Sequence, residues 1–314
     1  MPGKWIPRDL NMDAPEPVVS VRSIRLAADD RREDIQLRVS APASGRGLPV
    51  VLFSHGFGSS MDGYAPLTDY WAAHGFVVVQ PTYLDARRLG LAEDDPRRPK
   101  IWRTRVADAG RVIDGLGEIV RQVPGLGDRA NITRLAAAGH SFGGQTTSML
   151  LGARMVASGE GEDLADPRIV CGILLASGGR GGEDLSALGK QITPYLDSSF
   201  AAMTCPTLVV AGNADHSPLT VRGPDWFYDP YYLSPGSKAL LALSGGEHML
   251  GGISGYEVAE TTDENPDRVR LVQTVTLAYL QRHLLGIDRD WAALRGSLAP
   301  SQAPCGSLVV KDDR

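Results

Sequence analysis

The chain has 314 residues and a net charge of −5, and 43% of its residues are hydrophobic while 22% are charged. These values are typical of a globular protein, and the length suits one large α/β domain or two small domains. The negative charge argues against nucleic acid as the main partner, because phosphate binding needs a basic surface. No apolar run approaches the roughly 20 residues that a membrane-spanning helix needs.

The N-terminal region predicts no export signal and an early β-hairpin. Residues 1–10 read MPGKWIPRDL and lack the apolar segment of a secretory signal, so we expect a cytoplasmic protein. Two β-rich stretches follow at residues 18–26 and 35–39, joined by the charged segment 28–34. Their partial alternation of apolar and polar side chains predicts two antiparallel strands that open a sheet.

From residue 49 onward, short apolar runs alternate with helical patterns. The predicted strands are 50–53, 76–79, 135–138, 169–176, 207–211 and 239–243, and the predicted helices are 64–74, 101–123, 144–154 and 266–285. Continuous apolar runs suit strands that are buried on both faces of a parallel sheet. The alternation predicts a mostly parallel central sheet with helices on both faces. With no internal repeat, we expect a single domain over 1–314, with a core of about 18–286 and an irregular C-terminal tail, 287–314.

The three cysteines do not indicate a disulfide framework or a metal site. Cys171 and Cys205 lie in or beside apolar runs, which favours a role as small buried hydrophobic residues. No group of cysteines and histidines has the spacing of a zinc site. We therefore expect no structural metal and no cofactor.

The most informative motif is GHSFG at residues 139–143, which matches Gly-x-Ser-x-Gly. It lies between a predicted strand and a predicted helix, the setting of a nucleophile elbow. Such a corner holds a serine Oγ above the sheet edge, at the N-terminus of a helix whose dipole favours negative charge. The motif therefore predicts that Ser141 is a nucleophile, with His140 beside it in a packing role. The alternative is a glycine-rich turn in which Ser141 only caps the helix.

A nucleophilic serine needs a base and an acid that orients the base. Asp215 follows the predicted strand 207–211 directly, whereas Asp184, Asp197 and Asp225 lie in irregular loops. His248 follows the predicted strand 239–243 in the glycine-rich segment SGGEHM, and it is the predicted base. His216 is the alternative base. Because it directly follows Asp215, its ring could hardly form a hydrogen bond with that carboxylate and also reach the serine.

The remaining candidates concern the oxyanion hole and the substrate pocket. The backbone N–H of Phe142, directly after the nucleophile, is one predicted donor. Phe57, in the HGFG loop after the first parallel strand, is the other. The aromatic stretch PDWFYDPYY contains Trp226 and Phe227, which we expect to line an apolar pocket; the alternative is a loop packed on the domain surface. Two further residues are candidates for the pocket. Tyr83 follows another strand, and His216 follows the predicted acid.

The ordered motifs HGFG, GHSFGG, GNAD and EHM resemble those of the α/β-hydrolase superfamily over about residues 18–286. Within it, the stretch VLFSHGFGSSMDGYAPLTDYWAAHGFVVVQPTY is similar to the group of platelet-activating-factor acetylhydrolases, chlorophyllases and bacterial cutinase-like enzymes. Acetylhydrolases of that group carry the acid one strand earlier, where this chain reads ILLASGGRGG and has none. The departure favours Asp215, as in the cutinase-like members.

Together these residues predict a serine hydrolase that cleaves a carboxylic ester through an acyl-enzyme. The expected substrate is a small-molecule or lipid-like ester. An amidase, a lactonase or an acyltransferase would use the same residues, so these activities stay open. A non-catalytic binding protein on the same fold is the remaining alternative.

Overall fold

The computed structural model describes residues 14–28, 31, 33–157, 159, 161–257, 262–300 and 305–311. The strands are β1 Val18–Leu26, β2 Ile35–Pro42, β3 Leu48–Ser54, β4 Val77–Pro81, β5 Ala130–His140, β6 Arg154–Met155, β7 Ile169–Leu175, β8 Ser198–Ser199, β9 Thr207–Gly212, β10 Lys238–Leu243 and β11 Gly306–Lys311. The α-helices are α1 Ala65–Ala73, α2 Ile101–Asp114, α3 Leu116–Arg121, α4 Phe142–Leu150, α5 Ala187–Ile192, α6 Asp229–Tyr232, α7 Pro266–Leu280 and α8 Arg289–Ser297.

Nine of these strands form one sheet in the order β1-β2-β4-β3-β5-β7-β9-β10-β11. The six central strands, in the order β4-β3-β5-β7-β9-β10, are parallel to one another. Strands β1 and β2 at one edge and β11 at the other are antiparallel to their neighbours. The predicted mostly parallel sheet, opened by an antiparallel hairpin, is therefore confirmed. Because parallel strands carry their carboxyl ends to one edge, the loops after β3, β5, β9 and β10 lie at the same edge of the sheet.

Two apolar cores cover the two faces of the sheet. Along β3, Val50 and Leu52 pack on one side, and Val51 and Phe53 pack on the other, because successive side chains of a strand point to opposite faces. Helices α2, α3 and α4 contribute to the first core, and α1, α7 and α8 contribute to the second. Burial on both faces explains why the strands read as continuous apolar runs.

The structure differs from the sequence prediction in the helices. The predicted helix 101–123 is divided into α2 and α3 at Gly115, where an added Cβ would lie 2.9 Å from a side-chain carbon of Leu26. Glycine has low helix propensity, and the Leu26 side chain of β1 packs close to it at this point. The elbow helix also begins earlier than predicted, at Phe142 instead of residue 144.

The C-terminal tail is not irregular as predicted. Residues 289–297 form α8, whose Trp291 and Leu294 are buried in the second core. Strand β11 pairs with β10, with Leu308 opposite Leu241. The tail thus completes the sheet, and it gives β10 a neighbour on its otherwise open side.

Candidate active site

Ser141 lies at the corner between β5 and α4 in a backbone conformation that non-glycine residues rarely adopt. Its φ is 54° and its ψ is −120°, and its N–H donates to the carbonyl of Leu175. The two glycines of the motif permit this corner. An added Cβ on Gly139 would lie 2.2 Å from the Gly143 carbonyl oxygen, and one on Gly143 would lie 2.0 Å from the Ser54 carbonyl oxygen. No larger residue fits at either position without moving backbone.

Three side chains meet at this corner from three separate loops. The Nε2 atom of His248 lies 2.9 Å from the Ser141 Oγ, and its Nδ1 lies 2.9 Å from the Oδ2 of Asp215. A carboxylate only accepts, so Nδ1 carries the proton and Nε2 is free to accept the proton of the serine. Asp215 is buried, and among the described residues its Oδ1 has no hydrogen-bond partner. The negative charge of the carboxylate is therefore directed at the imidazole.

The rival candidates lie elsewhere. Asp184 and Asp225 both pair with Arg222. The Asp197 carboxylate lies beside Gly182, where an added Cβ would be 3.3 Å from it. His216 follows Asp215 in the chain but is exposed to solvent, and no hydrogen bond joins it to the serine in the described part of the chain. His248 and Asp215 are the pair that the structure brings to Ser141.

The loop after β3 fixes the backbone on both sides of Phe57. The Gly56 N–H donates to the Tyr64 Oη over 3.0 Å, and the Gly58 N–H donates to the Asp85 Oδ2 over 3.2 Å. The N–H groups of Phe57 and Phe142 donate to no acceptor in the described part of the chain. The two aromatic rings lie 6.2 Å apart, and Phe57 is 59% exposed. The Phe142 N–H directly follows the serine in the chain, and both N–H groups are free donors of the kind that an oxyanion hole requires.

His140 has a polar role that the sequence did not reveal. Its Nε2 lies 2.8 Å from the carbonyl oxygen of His248, and its Nδ1 lies 2.9 Å from the Tyr64 Oη. Because the carbonyl can only accept, Nε2 carries the proton and Nδ1 accepts from the tyrosine. Burial and the neighbouring charge of His248 lower the pKa of His140 to about 3, which keeps the ring neutral. Hydrogen bonds therefore run from Gly56 through Tyr64 and His140 to His248.

The loop that carries His248 is anchored by a second buried acid. The Oδ2 of Asp263 accepts from the N–H groups of Glu247 and Gly251, over 2.9 Å in each case. Its Oδ1 forms a short contact with Arg268, which also donates to the carbonyl of Ser244. These bonds hold the backbone on both sides of His248.

Three of the four predicted pocket residues, Tyr83, Trp226 and Phe227, are buried. Tyr83 bonds to Ser54 through its hydroxyl, and a guanidinium lies over its ring. Trp226 donates its indole N–H to the carbonyl of Arg180, and Phe227 packs against the His248 ring at 5.8 Å. Phe227 thus brings one ring of the aromatic stretch against His248. His216 is the one predicted pocket residue on the surface.

Three further features concern metal ligands, the buried thiol of Cys171 and membrane-spanning helices. Within the residues that the structure describes, no group of three histidine, cysteine or acidic side chains is placed to hold a metal ion. Burial raises the pKa of the Cys171 thiol well above its ordinary value, in keeping with its place inside β7. None of the helices in the described segments is both long enough and apolar enough to cross a bilayer.

Comparisons with known proteins are in keeping with this geometry. A family model described as chlorophyllase matches residues 16–157, which include Phe57 and the elbow, whereas Asp215 and His248 lie outside the match. Chlorophyllase-1, chloroplastic, from Citrus unshiu and from Citrus sinensis is in each case 32% identical over 114 residues, 36% of this chain and 32% of the citrus protein. Platelet-activating factor acetylhydrolase from Canis lupus familiaris is 21% identical over 79% of this chain and 60% of its own length. The chain thus spans about a third of the citrus relatives that it matches.

Proposed function

We propose that this chain, an α/β-hydrolase that resembles chlorophyllases and platelet-activating-factor acetylhydrolases, is a serine carboxylesterase. The similar proteins are ester hydrolases, which supports hydrolysis as the general activity. The finer proposal is that Ser141, His248 and Asp215 form a catalytic triad and that the reaction passes through an acyl-enzyme.

The reaction follows from the directions of the hydrogen bonds. The Ser141 Oγ attacks the ester carbonyl carbon while its proton moves to Nε2 of His248. Asp215 stabilises the imidazolium that forms, through the bond to Nδ1. The tetrahedral intermediate then collapses, the C–O bond to the alcohol breaks, and His248 returns the proton to the leaving oxygen. Water activated by His248 cleaves the acyl-enzyme in the same way and releases the acid.

The developing charge on the carbonyl oxygen needs donors that are in place before the reaction. We assign this role to the N–H groups of Phe57 and Phe142, which have no acceptor among the described residues. Removing one such donor in a serine hydrolase costs about 2.7–4 kcal/mol of transition-state stabilisation. The position of Phe142 directly after Ser141, with the Phe57 ring 6.2 Å from the Phe142 ring, supports acyl chemistry over a binding role.

The observation that carries the proposal is the pair of 2.9 Å contacts at His248, one to the serine and one to the buried carboxylate. Ser141→Ala tests it with p-nitrophenyl esters as substrates. We expect kcat/KM to fall by several orders of magnitude and labelling by a fluorophosphonate probe to disappear. Near-wild-type hydrolysis by this variant would overturn the assignment.

We also propose that the site accepts bulky or lipid-like esters. Phe57 is 59% exposed and the His248 side chain is 35% exposed, so solvent reaches the reacting groups. A series of p-nitrophenyl esters with acyl chains of graded length measures this preference. A steep loss of kcat/KM beyond the acetyl ester would contradict an open site. The cytoplasmic location stays a prediction, to be checked by cell fractionation.

A further inference from the structure

A fully buried ion pair lies beside the proposed oxyanion hole and takes no part in the mechanism described above. The side chains of Arg105 and Asp85 are 0% and 2% exposed, and one guanidinium nitrogen contacts both carboxylate oxygens at 2.9 and 2.8 Å. A buried ion pair adds little net stability, because the cost of removing both charges from water offsets their attraction. Its contacts with the backbone therefore matter more than its contribution to stability.

The pair holds the loop that carries the first proposed oxyanion donor. A second nitrogen of Arg105 donates to the carbonyl of His55 in a short contact. The Oδ2 of Asp85 accepts from the Gly58 N–H over 3.2 Å. Phe57 lies between these two anchored neighbours, so the ion pair limits the directions in which its N–H can point.

The same guanidinium also reaches the second proposed donor. It lies 4.6 Å from the centre of the Phe142 ring. Its Nε donates to the Thr146 Oγ1 over 3.1 Å, and that hydroxyl donates to the Phe142 carbonyl over 3.0 Å. Arg105 thus contacts the loop after β3 and the first turn of α4 at once, and these are the two elements that supply the N–H groups.

We infer that Asp85 and Arg105 are positioning residues that hold the two oxyanion donors at a fixed separation. The inference rests on the proposed function, and it assigns to this pair an effect on the charged intermediate and not on substrate binding. Loss of the pair should therefore lower kcat and leave KM nearly unchanged, because the donors act mainly on charge that appears in the transition state.

Two substitutions test the pair. Asp85→Asn keeps the shape but places an amide NH2 against either the Gly58 N–H or the Arg105 guanidinium. Arg105→Lys keeps the charge, but one ammonium cannot reach Asp85, His55 and Thr146 together or lie flat over Phe142. For both variants we expect kcat for an ester to fall about 10–100-fold, less than the effect of deleting a donor outright.

The distinguishing measurement compares an ester with the matching thionoester. The larger sulfur accepts hydrogen bonds poorly, so the thionoester gains less from the oxyanion donors. We expect Asp85→Asn and Arg105→Lys to lower the ester rate at least about fivefold more than the thionoester rate. A residue that only stabilises the fold would lower both rates by the same factor.

Two matched controls separate this effect from others. Asp263→Asn alters another aspartate–arginine pair with a buried carboxylate, which holds the loop of His248, so both substrates should slow equally. Glu118→Gln breaks an exposed pair with Arg121 on α3 and should change neither rate. Active sites are counted with a fluorophosphonate reagent, so every rate refers to folded protein. If either test variant folds too poorly, the charge-free double variant Asp85→Asn/Arg105→Gln replaces it.

The outcomes are separable. An ester-to-thionoester ratio within about twofold of the wild-type ratio in these variants would overturn the positioning role while leaving the esterase assignment intact. A wild-type protein that hydrolyses no ester would overturn the proposed function, and the inference with it. A selective loss on the ester, absent from Asp263→Asn, supports the role.

Discussion

At the scale of single residues, a directed hydrogen-bond chain joins the oxyanion loop to the base. The Gly56 N–H donates to Tyr64, the tyrosine hydroxyl donates to His140, and the His140 ring donates to the His248 carbonyl. Each member has only one arrangement that satisfies its neighbours, since the amide can only donate and the carbonyl can only accept. The chain therefore fixes the base and the oxyanion loop relative to each other.

Tyr64→Phe tests this chain with the loss of a single oxygen. The Gly56 N–H loses its acceptor and His140 loses its donor, so we expect the free energy of unfolding to fall by about 1–3 kcal/mol. We also expect kcat to fall about tenfold, because the loop and the base lose a shared support. Urea unfolding and ester hydrolysis measure the two effects. Tyr232→Phe, at an exposed tyrosine, is the control. Equal changes in unfolding free energy and kcat for the two variants would contradict a role for this series of hydrogen bonds.

The candidate triad could be predicted from the sequence, and its supports could not. Ser141, Asp215 and His248 each follow a buried strand in a fixed order, and that order is visible in one dimension. Tyr64 and His140 meet across 76 positions, and Asp85 and Arg105 meet across 20, with no local pattern to announce either contact. The burial of Trp226 and Phe227 could not be predicted either, because an aromatic stretch looks the same whether it packs in the core or lines a pocket, and their role in a substrate pocket stays a prediction.

At the scale of elements, the elbow depends on the close passage of three backbone segments. The carbonyl of Ser54 at the end of β3 occupies the space that a side chain at position 143 would need. The strained φ of Ser141 persists because its surroundings leave no alternative. The glycines of GHSFG are therefore as necessary for the corner as the serine is for the proposed chemistry.

Gly143→Ala should destroy the site. Its Cβ would lie 2.0 Å from the Ser54 carbonyl oxygen, and backbone cannot yield as the end of a flexible side chain can. We expect loss of fluorophosphonate labelling, together with either a large drop in melting temperature or failure to fold. Labelling at the wild-type rate would show that α4 can shift without harm, contrary to this account.

Gly110→Ala is the matched variant within a helix interior. Gly110 lies in α2, and an added Cβ there would meet nothing within 4 Å. Alanine is favoured over glycine inside a helix by roughly 0.5–1 kcal/mol, so this variant should be more stable than the wild type by about that amount. Thermal and urea unfolding measure the gain, and unchanged activity is expected. A loss of stability would indicate a constraint on α2 that its packing does not show.

The elements themselves were well predicted where burial was two-sided. Strands β3, β9 and β10 follow their apolar runs within two residues, because a buried parallel strand leaves a continuous signal. Strand β11 was missed because it pairs at an edge with only part of its length buried, so its six residues show no clear periodicity. The break at Gly115 was missed because one glycine does not by itself end a helix, and the packing of Leu26 against it joins residues far apart in the chain.

At the scale of the whole molecule, buried neutral histidines connect the fold to pH. Burial and the charge of Arg105 lower the pKa of His55 to about 4, while burial and the charge of His248 lower that of His140 to about 3. Both rings act in the neutral form, His55 by accepting from the Tyr83 N–H and His140 by accepting from Tyr64. Protonation of either ring would remove an acceptor and bury a charge, so both support the folded state only while neutral.

The sign of the resulting pH dependence follows from linkage. In the unfolded chain these histidines have pKa values near 6.5, so between pH 6.5 and about 4 the unfolded state binds more protons than the folded state. Their contribution to stability is complete above pH 6.5 and is lost as the pH falls toward the folded pKa values. Carboxylates in ion pairs change stability in the same direction, so a single histidine must be isolated by substitution.

His140→Gln isolates one of them. The variant loses a constant amount of stability from altered hydrogen bonds, but it also loses a group that the unfolded chain protonates. The difference in unfolding free energy between wild type and variant should therefore shrink by about 2 kcal/mol from pH 7 to pH 5, since each pKa unit corresponds to about 1.4 kcal/mol. Urea unfolding at several pH values measures this difference. If the free energies of unfolding of the two proteins changed in parallel with pH, His140 would have the same pKa in the folded and the unfolded state. That result would contradict a neutral ring that donates to the His248 carbonyl and accepts from Tyr64.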